Sequence, residues 1–105
     1  MESILKAIAE PNRREILRLV ANQELTAGQI AANFEISRPA VSQHLTILKS
    51  ANLISERRQG TQRLYRARPE AIADIKEFFE GFWTDGLERL KRAAELEERQ
   101  IKRLN

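Results

Sequence analysis

The chain has 105 residues, of which 42% are hydrophobic and 31% charged, a balance typical of one folded domain rather than a disordered segment. No apolar run approaches the ~18 residues of a membrane span, and an early acid followed by a short apolar run predicts no secretory signal. The absence of cysteine excludes disulfides, cysteine zinc sites and thiolate nucleophiles. A single histidine, His44, argues against a histidine-based triad.

Positive charge is concentrated in the first two thirds of the chain. Residues 1–68 hold 11 Lys/Arg and 6 Asp/Glu, whereas residues 69–105 hold 7 and 9. The densest basic stretch, 57–68, contains five arginines and no acid. Such clustering indicates a surface for a polyanion, although a solvated face would carry the same charge.

Three helices are predicted before residue 35 from apolar residues at helical spacing. The first covers 3–9, and the second covers 12–22, opening at Pro11 or the residue after it. The third covers 26–34, with Thr26 as its N-cap. The residues between the second and third helices, 23–25, are predicted to be a short connection.

A fourth helix is predicted from Ser37, its N-cap, to about Ser50, with Pro39 in its first turn, where a missing N–H costs little. Asn52 follows its end and tolerates the left-handed conformation. On a helical wheel three apolar side chains share one edge within about 60°, while the opposite side is short and polar. The buried edge is predicted to be Val41, Leu45 and Leu48, and the outward side Pro39, Gln43, Thr46 and Ser50, with Arg38 and Ser42 beside it.

After the fourth helix the spacing of the apolar residues changes from a helical pattern to one typical of β-strands. Residues 53–58 and 63–67 are strand-like, and Gln59-Gly60-Thr61 between them predicts a turn, so the region is expected to form a β-hairpin with an arginine-rich tip. A helical pattern resumes after Pro69 and continues to the end of the chain.

The outward side of the fourth helix suits the edges of bases in a major groove. An amide such as Gln43 can pair with adenine through two hydrogen bonds, and hydroxyls donate or accept. Residues 36–55 contain no acid, which phosphates would repel. The third and fourth helices are therefore interpreted as a helix-turn-helix and the hairpin as a wing that contacts phosphates or a minor groove. The simpler interpretation is a surface helix that happens to be polar.

Three segments together resemble the ArsR (ArsR/SmtB) family of winged-helix bacterial transcriptional repressors, over about residues 3–83. The segments are Pro11–Val20, like the family's second helix; Ile36–Leu48, like its recognition helix; and Asn52–Ile54 with Arg57–Gly60 and Leu64–Tyr65, like its wing.

The resemblance implies a mostly α fold with a small β-hairpin: a single winged helix-turn-helix domain over 1–105. Its parts would be the helix-turn-helix at about 26–50, the wing at about 53–67 and a C-terminal dimerisation helix at about 70–104. It also implies a cytoplasmic homodimer that binds a palindromic operator in double-stranded DNA, with no membrane association. An unknown protein or small molecule could act as inducer.

Many family members release DNA when they bind a metal, and here the sequence departs from the family. The third-helix position that carries paired cysteines in those members reads Glu24–Gly28, and the last helix has no histidine. Carboxylates such as Asp74 and Glu77 could hold a hard cation, but their spacing is more typical of solvated side chains. We therefore expect no metal site and no cofactor.

The residues expected to bind DNA lie on the fourth helix and the wing. They are Ser37, Arg38, Pro39, Ser42, Gln43, His44, Thr46, Lys49, Arg57, Arg58, Gln59, Gly60, Thr61 and Arg63. His44 has two interpretations. In the resembling family a histidine here lies near the DNA backbone, but a partly buried histidine bonded to a neighbouring carbonyl fits equally.

A homodimer interface is expected from apolar side chains that a core of this size cannot hide. Four of the six aromatic residues fall within 78–83, and an apolar heptad pattern continues to residue 104, interrupted at Glu97. The alternative is a helix that covers its own chain's core. The expected interface residues are Ile4, Leu5, Ile8, Ile75, Phe78, Phe79, Phe82, Trp83, Leu87 and Leu90.

Two functions from other classes compete with a DNA-binding repressor. The first is a protein-interaction module that uses the winged helix and the helical tail without a specific DNA site. The second is an enzyme, which the sequence hardly supports, because no nucleophile–base pair, phosphate loop or carboxylate dyad is visible.

Overall fold

The computed structural model describes residues 1–104, which contain five helices and one three-stranded antiparallel sheet with the strand order β1-β3-β2. Two compact units divide the chain, the first over Met1–Ala73 and the second from Asp74 onward. The mostly helical fold with a small sheet and a long C-terminal helix confirms the predicted fold class. In chain order the elements are α1 (Glu2–Ile8), α2 (Pro11–Leu19), β1 (Leu25–Thr26), α3 (Ala27–Ala31), α4 (Arg38–Ser50), β2 (Ile54–Gln59), β3 (Gln62–Ala67) and α5 (Pro69–Leu104).

The second helix begins where the sequence predicted and ends earlier. Pro11 occupies its first turn, and the side chain of Glu10 caps it. The apolar spacing predicted helix to residue 22, but α2 ends at Leu19. The carbonyl of the buried Val20 accepts a hydrogen bond from the backbone N–H of Ala67 (2.9 Å), so the chain leaves the helix to meet the end of β3.

Both helices of the helix-turn-helix carry the predicted caps. Thr26 and Gln29 form a reciprocal capping box at α3, and the Oγ of Ser37 accepts from the backbone N–H of Ala40 (3.2 Å) at α4. α3 ends at Ala31, three residues before the predicted end. The backbone N–H groups of the next turn bond carbonyls three residues back, so the chain tightens there instead of continuing the helix.

The predicted hairpin forms, but its connection has two residues and not the predicted three, because Gln59 still pairs within β2. β2 and β3 are in antiparallel register up to Gln59↔Gln62, which leaves Gly60 and Thr61 as the loop. Gly60 has φ +62°, where a side chain would strain the backbone. Asn52, which lies two residues after the end of α4, also has a positive φ, of 59°. These two residues set the directions in which the chain enters and turns within the wing.

A third strand was missed in the sequence. Leu25 and Thr26, which lie in the predicted connection and helix start, form β1 and pair with Tyr65 and Leu64 of β3. Thr26 therefore belongs to the sheet and also caps α3. This pairing fixes the helix-turn-helix directly to the wing.

The core of the first unit is formed by the predicted apolar edge of α4 together with side chains from α2, α3 and the start of the wing. Val41 and Leu48 are fully buried and Leu45 is 3% exposed. The backbone N–H of Arg68 bonds the carbonyl of Leu53 (2.9 Å), which joins the two ends of the hairpin. The largest fully buried side chains are Ile16, Val20, Ile30, Val41, Leu48, Leu53 and Ile54.

The C-terminal helix α5 runs without a break through Gly81 and Gly86. Most of its apolar side chains are exposed in the single chain, including Trp83 at 53% and Leu90 at 67%. Its aromatic residues form two edge-to-face pairs, Phe78–Phe79 and Phe82–Trp83, each with ring centroids 5.6 Å apart. None of the helices described over residues 1–104 has a stretch long and apolar enough to cross a membrane.

Candidate nucleic-acid interface

The outward side of α4 is exposed, as the helical wheel predicted. Ser42, Gln43 and Thr46 are all exposed, and the opposite edge of the helix is buried in the core. The hydroxyl of Thr46 donates to the carbonyl of Ser42 (3.0 Å), so its oxygen is left mainly as an acceptor. No such bond engages the amide of Gln43 in the described chain. This amide can therefore offer both a donor and an acceptor to a base edge.

Ser37 and Arg38 lie at the start of α4, where one acts as a cap and the other approaches α3. The cap uses only the oxygen lone pair of Ser37, so its hydroxyl hydrogen remains able to donate. A Cβ added at Gly28 would lie 3.4 Å from Nη1 of Arg38, so the arginine side chain lies over the first turn of α3. Arg38 forms no ion pair within residues 1–104.

Sequence reasoning missed one residue on the outward side of α4. Ile47 is 42% exposed and lies four residues after Gln43, about 40° from it on the wheel. The same wheel could have found it, since only its apolar character suggested burial. An aliphatic side chain beside a glutamine suits the methyl group of thymine.

His44 is bonded to an arginine of α2. Its Nδ1 lies 3.3 Å from Nη1 of Arg13 and 3.8 Å from Oε2 of Glu10, and its side chain is 17% exposed. The Nε of Arg13 also donates to the carbonyl of Ala7 (2.6 Å), so one arginine connects α1, α2 and α4. The hydrogen-bond partner of His44 is thus the guanidinium of Arg13 and not a carbonyl. A role for His44 in binding DNA stays a prediction.

Three of the cations predicted to contact DNA are held by glutamates. Arg57 donates twice to Glu24, at 2.8 and 3.2 Å, and these bonds hold the pKa of the Glu24 carboxyl below its usual value. Glu56 lies 2.9 Å from Nζ of Lys49 and 3.3 Å from Nε of Arg63. Sequence reasoning missed both glutamates as members of this surface.

Arg58 differs from these three cations. It is exposed and has no ion-pair partner in the part of the chain that the structure describes. In the strand register Arg58 lies directly opposite Arg63, so two like charges face each other near the tip of the wing. The neighbouring Gln59, Gly60 and Thr61 are also exposed.

A groove of about 500 Å³ separates α4 from the wing. The polar side of α4 and the ion pairs of Glu56 both open into it, so residues from the two predicted contact elements share one surface. The side chains that line it are Ser42, Leu45, Thr46, Lys49, Ser50, Asn52, Glu56, Arg63 and Tyr65.

The residues predicted for a dimer interface are exposed to different degrees. In the first unit, Ile4, Leu5 and Ile8 of α1 are half-buried. In the second unit Ile75 is half-buried and the remaining predicted residues are exposed. Those exposed residues are Phe78, Phe79, Phe82, Trp83, Leu87 and Leu90.

Comparison with known proteins agrees with this geometry. Residues 10–56 match the family model described as bacterial regulatory protein, arsR family. The chain is 40% identical over 82 residues to the HTH-type transcriptional regulator Rv2034 of Mycobacterium tuberculosis, a match covering 78% of this chain and 77% of that protein. It is 43% identical over 74 residues to the transcriptional repressor SdpR of Bacillus subtilis, covering 70% of this chain and 82% of the repressor.

A solved structure extends the likeness to the fold. The crystal structure of a possible transcriptional regulator for arsenical resistance superposes with a TM-score of 0.72 at 40% identity, covering 85% of this chain and 93% of that one. The chain therefore belongs to the ArsR family of bacterial regulatory proteins, and it is a DNA-binding transcriptional regulator, not an enzyme.

Proposed function

We propose that the chain is a transcriptional repressor that binds a palindromic operator in double-stranded DNA as a homodimer. The observation that carries the proposal is the exposed, polar side of α4, which shares a groove with a cation-rich wing. A helix of this kind fits the major groove, while the wing reaches the adjacent backbone. SdpR, a relative that is named a transcriptional repressor, supports repression as the direction of regulation.

The proposal gives the two elements different tasks. Ser42, Gln43 and Thr46 read base edges, with Gln43 making the paired contact to adenine. Arg58 binds phosphate, because among the wing arginines predicted to contact DNA it is the one that no carboxylate holds in the described structure. The remaining members of the proposed DNA surface are Ser37, Arg38, Pro39, His44, Lys49, Arg57, Gln59, Gly60, Thr61 and Arg63.

The facing arginines of the wing support a polyanionic ligand. Like charges directly opposite each other destabilise a strand pair, and the Glu56 carboxylate, 3.3 Å from Nε of Arg63, offsets part of the repulsion between Arg58 and Arg63. A phosphate placed near both removes that repulsion. In the absence of DNA, repulsion between these arginines therefore destabilises the hairpin, and bound DNA would reduce this repulsion.

The homodimer is supported by the apolar row on α5. Trp83, Leu87 and Leu90 are 53%, 44% and 67% exposed, and they share one heptad seam. A second copy would remove this surface from water, and the half-buried side chains of α1 would add to it. Two-fold symmetry of the protein would then require a palindromic site with half-sites about one helical turn apart, or a multiple of it.

The test compares Gln43→Ala with Arg58→Ala on a cognate and a scrambled duplex over a series of salt concentrations. Gln43→Ala should cost about 1–3 kcal/mol per half-site on the cognate duplex and much less on the scrambled one, because only the cognate site supplies the adenine. Arg58→Ala should weaken both and flatten the salt slope by roughly 1 per arginine, or about 2 per dimer.

Gln100→Ala is the matched control, an exposed glutamine of α5 that should leave both affinities unchanged. If Gln43→Ala weakens both duplexes equally and Arg58→Ala leaves the salt slope unchanged, α4 does not read bases and the wing does not bind phosphate. A protein-interaction module would then be the better account.

A further inference from the structure

Ile47 is an aliphatic residue on a largely polar surface. It is 42% exposed and lies one turn after Gln43, on the outward side of α4. Together with Ser42, Gln43 and Thr46 it lines a shallow hollow of about 350 Å³ on the outside of the helix. Ile47 therefore shares one concave surface with the three side chains proposed to read base edges.

The first helix leaves Ile47 exposed. On the side that faces α1, Ile47 lines a second hollow, of about 390 Å³, with Ala7 of α1 and Ala51 after the end of α4. Ala7 is buried, but Ile47 keeps much of its apolar surface in water. A single exposed apolar side chain is common on proteins, so the position of Ile47 and not its exposure carries the argument.

The position of Ile47 suits one chemical group of DNA. The edges of the bases in the major groove are mainly hydrogen-bond donors and acceptors, and the methyl group among them is on C5 of thymine. The hydroxyl of Thr46 already donates its proton to the carbonyl of Ser42 (3.0 Å). The hollow on the outside of α4 therefore combines the amide of Gln43, which suits adenine, with an aliphatic side chain that suits thymine.

We propose that Ile47 is a specificity-determining residue that packs against the C5 methyl group of a thymine in each half-site. The inference rests on the proposed function, and it adds a second base to the one contacted by Gln43. Four residues of helix rise about 6 Å and base pairs are stacked about 3.4 Å apart, so this thymine lies within about two base pairs of the adenine. It is either the partner of that adenine or a base of a nearby pair.

The test removes the methyl group from the DNA. Each thymine of the cognate half-site is replaced in turn by uracil, which keeps the hydrogen-bonding groups of thymine and lacks only its C5 methyl. At the contacted position the wild-type chain should bind the uracil duplex about fourfold more weakly per half-site, or about 15-fold when both half-sites are changed. This size follows because burying one aliphatic carbon contributes about 0.8 kcal/mol.

The variant Ile47→Ala removes the other partner of the contact. Its side chain is too short to reach the methyl group, so it should distinguish thymine from uracil at that position by less than about twofold. At the other thymines the variant and the wild-type chain should respond alike to uracil. Leu96→Ala is the matched control, because Leu96 is an exposed aliphatic residue of α5, 58% exposed, and does not line either hollow. It should keep the full effect of the methyl group.

Three results would overturn the inference. If Ile47→Ala keeps the full penalty for uracil at every thymine, Ile47 does not contact a methyl group. If it raises the dimer Kd in sedimentation and weakens the thymine and uracil duplexes by the same factor, Ile47 belongs to an interface between subunits. A wild-type chain that selects a consensus but tolerates uracil throughout refutes this inference alone, whereas a wild-type chain that prefers no duplex over random DNA refutes the proposed function.

Discussion

Leu90→Ala should weaken the proposed homodimer. Monomer and dimer should then coexist at micromolar concentrations at which the wild-type chain is expected to be a dimer. Leu90 lies on the heptad row of α5 with Trp83 and is 67% exposed in the single chain. Leu96 is exposed to a similar degree, 58%, but lies six residues later and about 120° around the helix, off that row. Leu96→Ala is therefore a matched control with the same loss of volume and helix propensity.

The expected size follows from the exposed area. Full burial of a leucine side chain is worth about 1.5–3 kcal/mol, so burying the exposed part of Leu90 in both subunits should contribute about 2–4 kcal/mol per dimer. This corresponds to a rise of roughly 30- to 700-fold in the dimer Kd. Leu96→Ala should change the Kd less than about threefold.

Sedimentation over a dilution series measures the dimer Kd of each variant, and the fluorescence of Trp83 gives a second measurement of dissociation. Trp83 is the only tryptophan and is 53% exposed in the single chain, so dissociation should shift its emission to longer wavelength. A wild-type chain that sediments as a monomer at micromolar concentration would refute the dimer. Equal effects of Leu90→Ala and Leu96→Ala would refute the heptad row as the interface.

Three further predictions concern stability and metals. Arg58→Thr should raise the free energy of unfolding in urea by about 0.2–1 kcal/mol, because it removes the repulsion between residue 58 and Arg63. A free energy of unfolding below that of the wild type would contradict a destabilising repulsion between these two positions. Glu24→Gln should be less stable than wild type at neutral pH, because the lowered pKa of Glu24 contributes stability above its unfolded value. The difference in stability should begin to shrink as pH falls through about 4.3 and should be lost only below the lowered pKa of the folded chain; a gap that stays constant over this range would exclude the ion pair. Dialysis against zinc should leave less than one ion per chain, since there is no cysteine and a single histidine; a stoichiometric ion that weakens DNA binding would contradict this.

The sequence predicted those parts of the fold that depend on local signals. α4 was placed correctly because Ser37 caps it, Pro39 sits in its first turn and Asn52 adopts the left-handed conformation after it. Its buried and exposed sides followed from the helical period alone. The turn of the wing was located because glycine is the residue that tolerates a positive φ at position 60.

Features that depend on distant partners were missed. β1 is two residues long, too short for an alternating pattern, and it exists because Tyr65 and Leu64 lie beside it. The early end of α2 has the same cause, since Val20 bonds the end of β3. No local pattern encodes either pairing.

The pairing of charges could not be predicted from the linear sequence. The stretch 57–68 contains no acid, so it shows no local partner for its arginines. Folding brings Glu56 against Arg63 across the strands, and Glu24 against Arg57 from 33 residues away. The distribution of charge on this surface therefore depends on the strand register and not only on the count of arginines.

The measurement that tests the account most directly is selection from a pool of random duplexes, followed by footprinting of the selected sequences. If α4 reads bases as part of a two-fold dimer, selection should converge on a palindrome with half-sites about one helical turn apart, or a multiple of it, and Gln43→Ala should lose the preference at one position of each half-site. A pool that yields no consensus, or that the wild-type chain binds no more tightly than unselected DNA, would contradict the central claim.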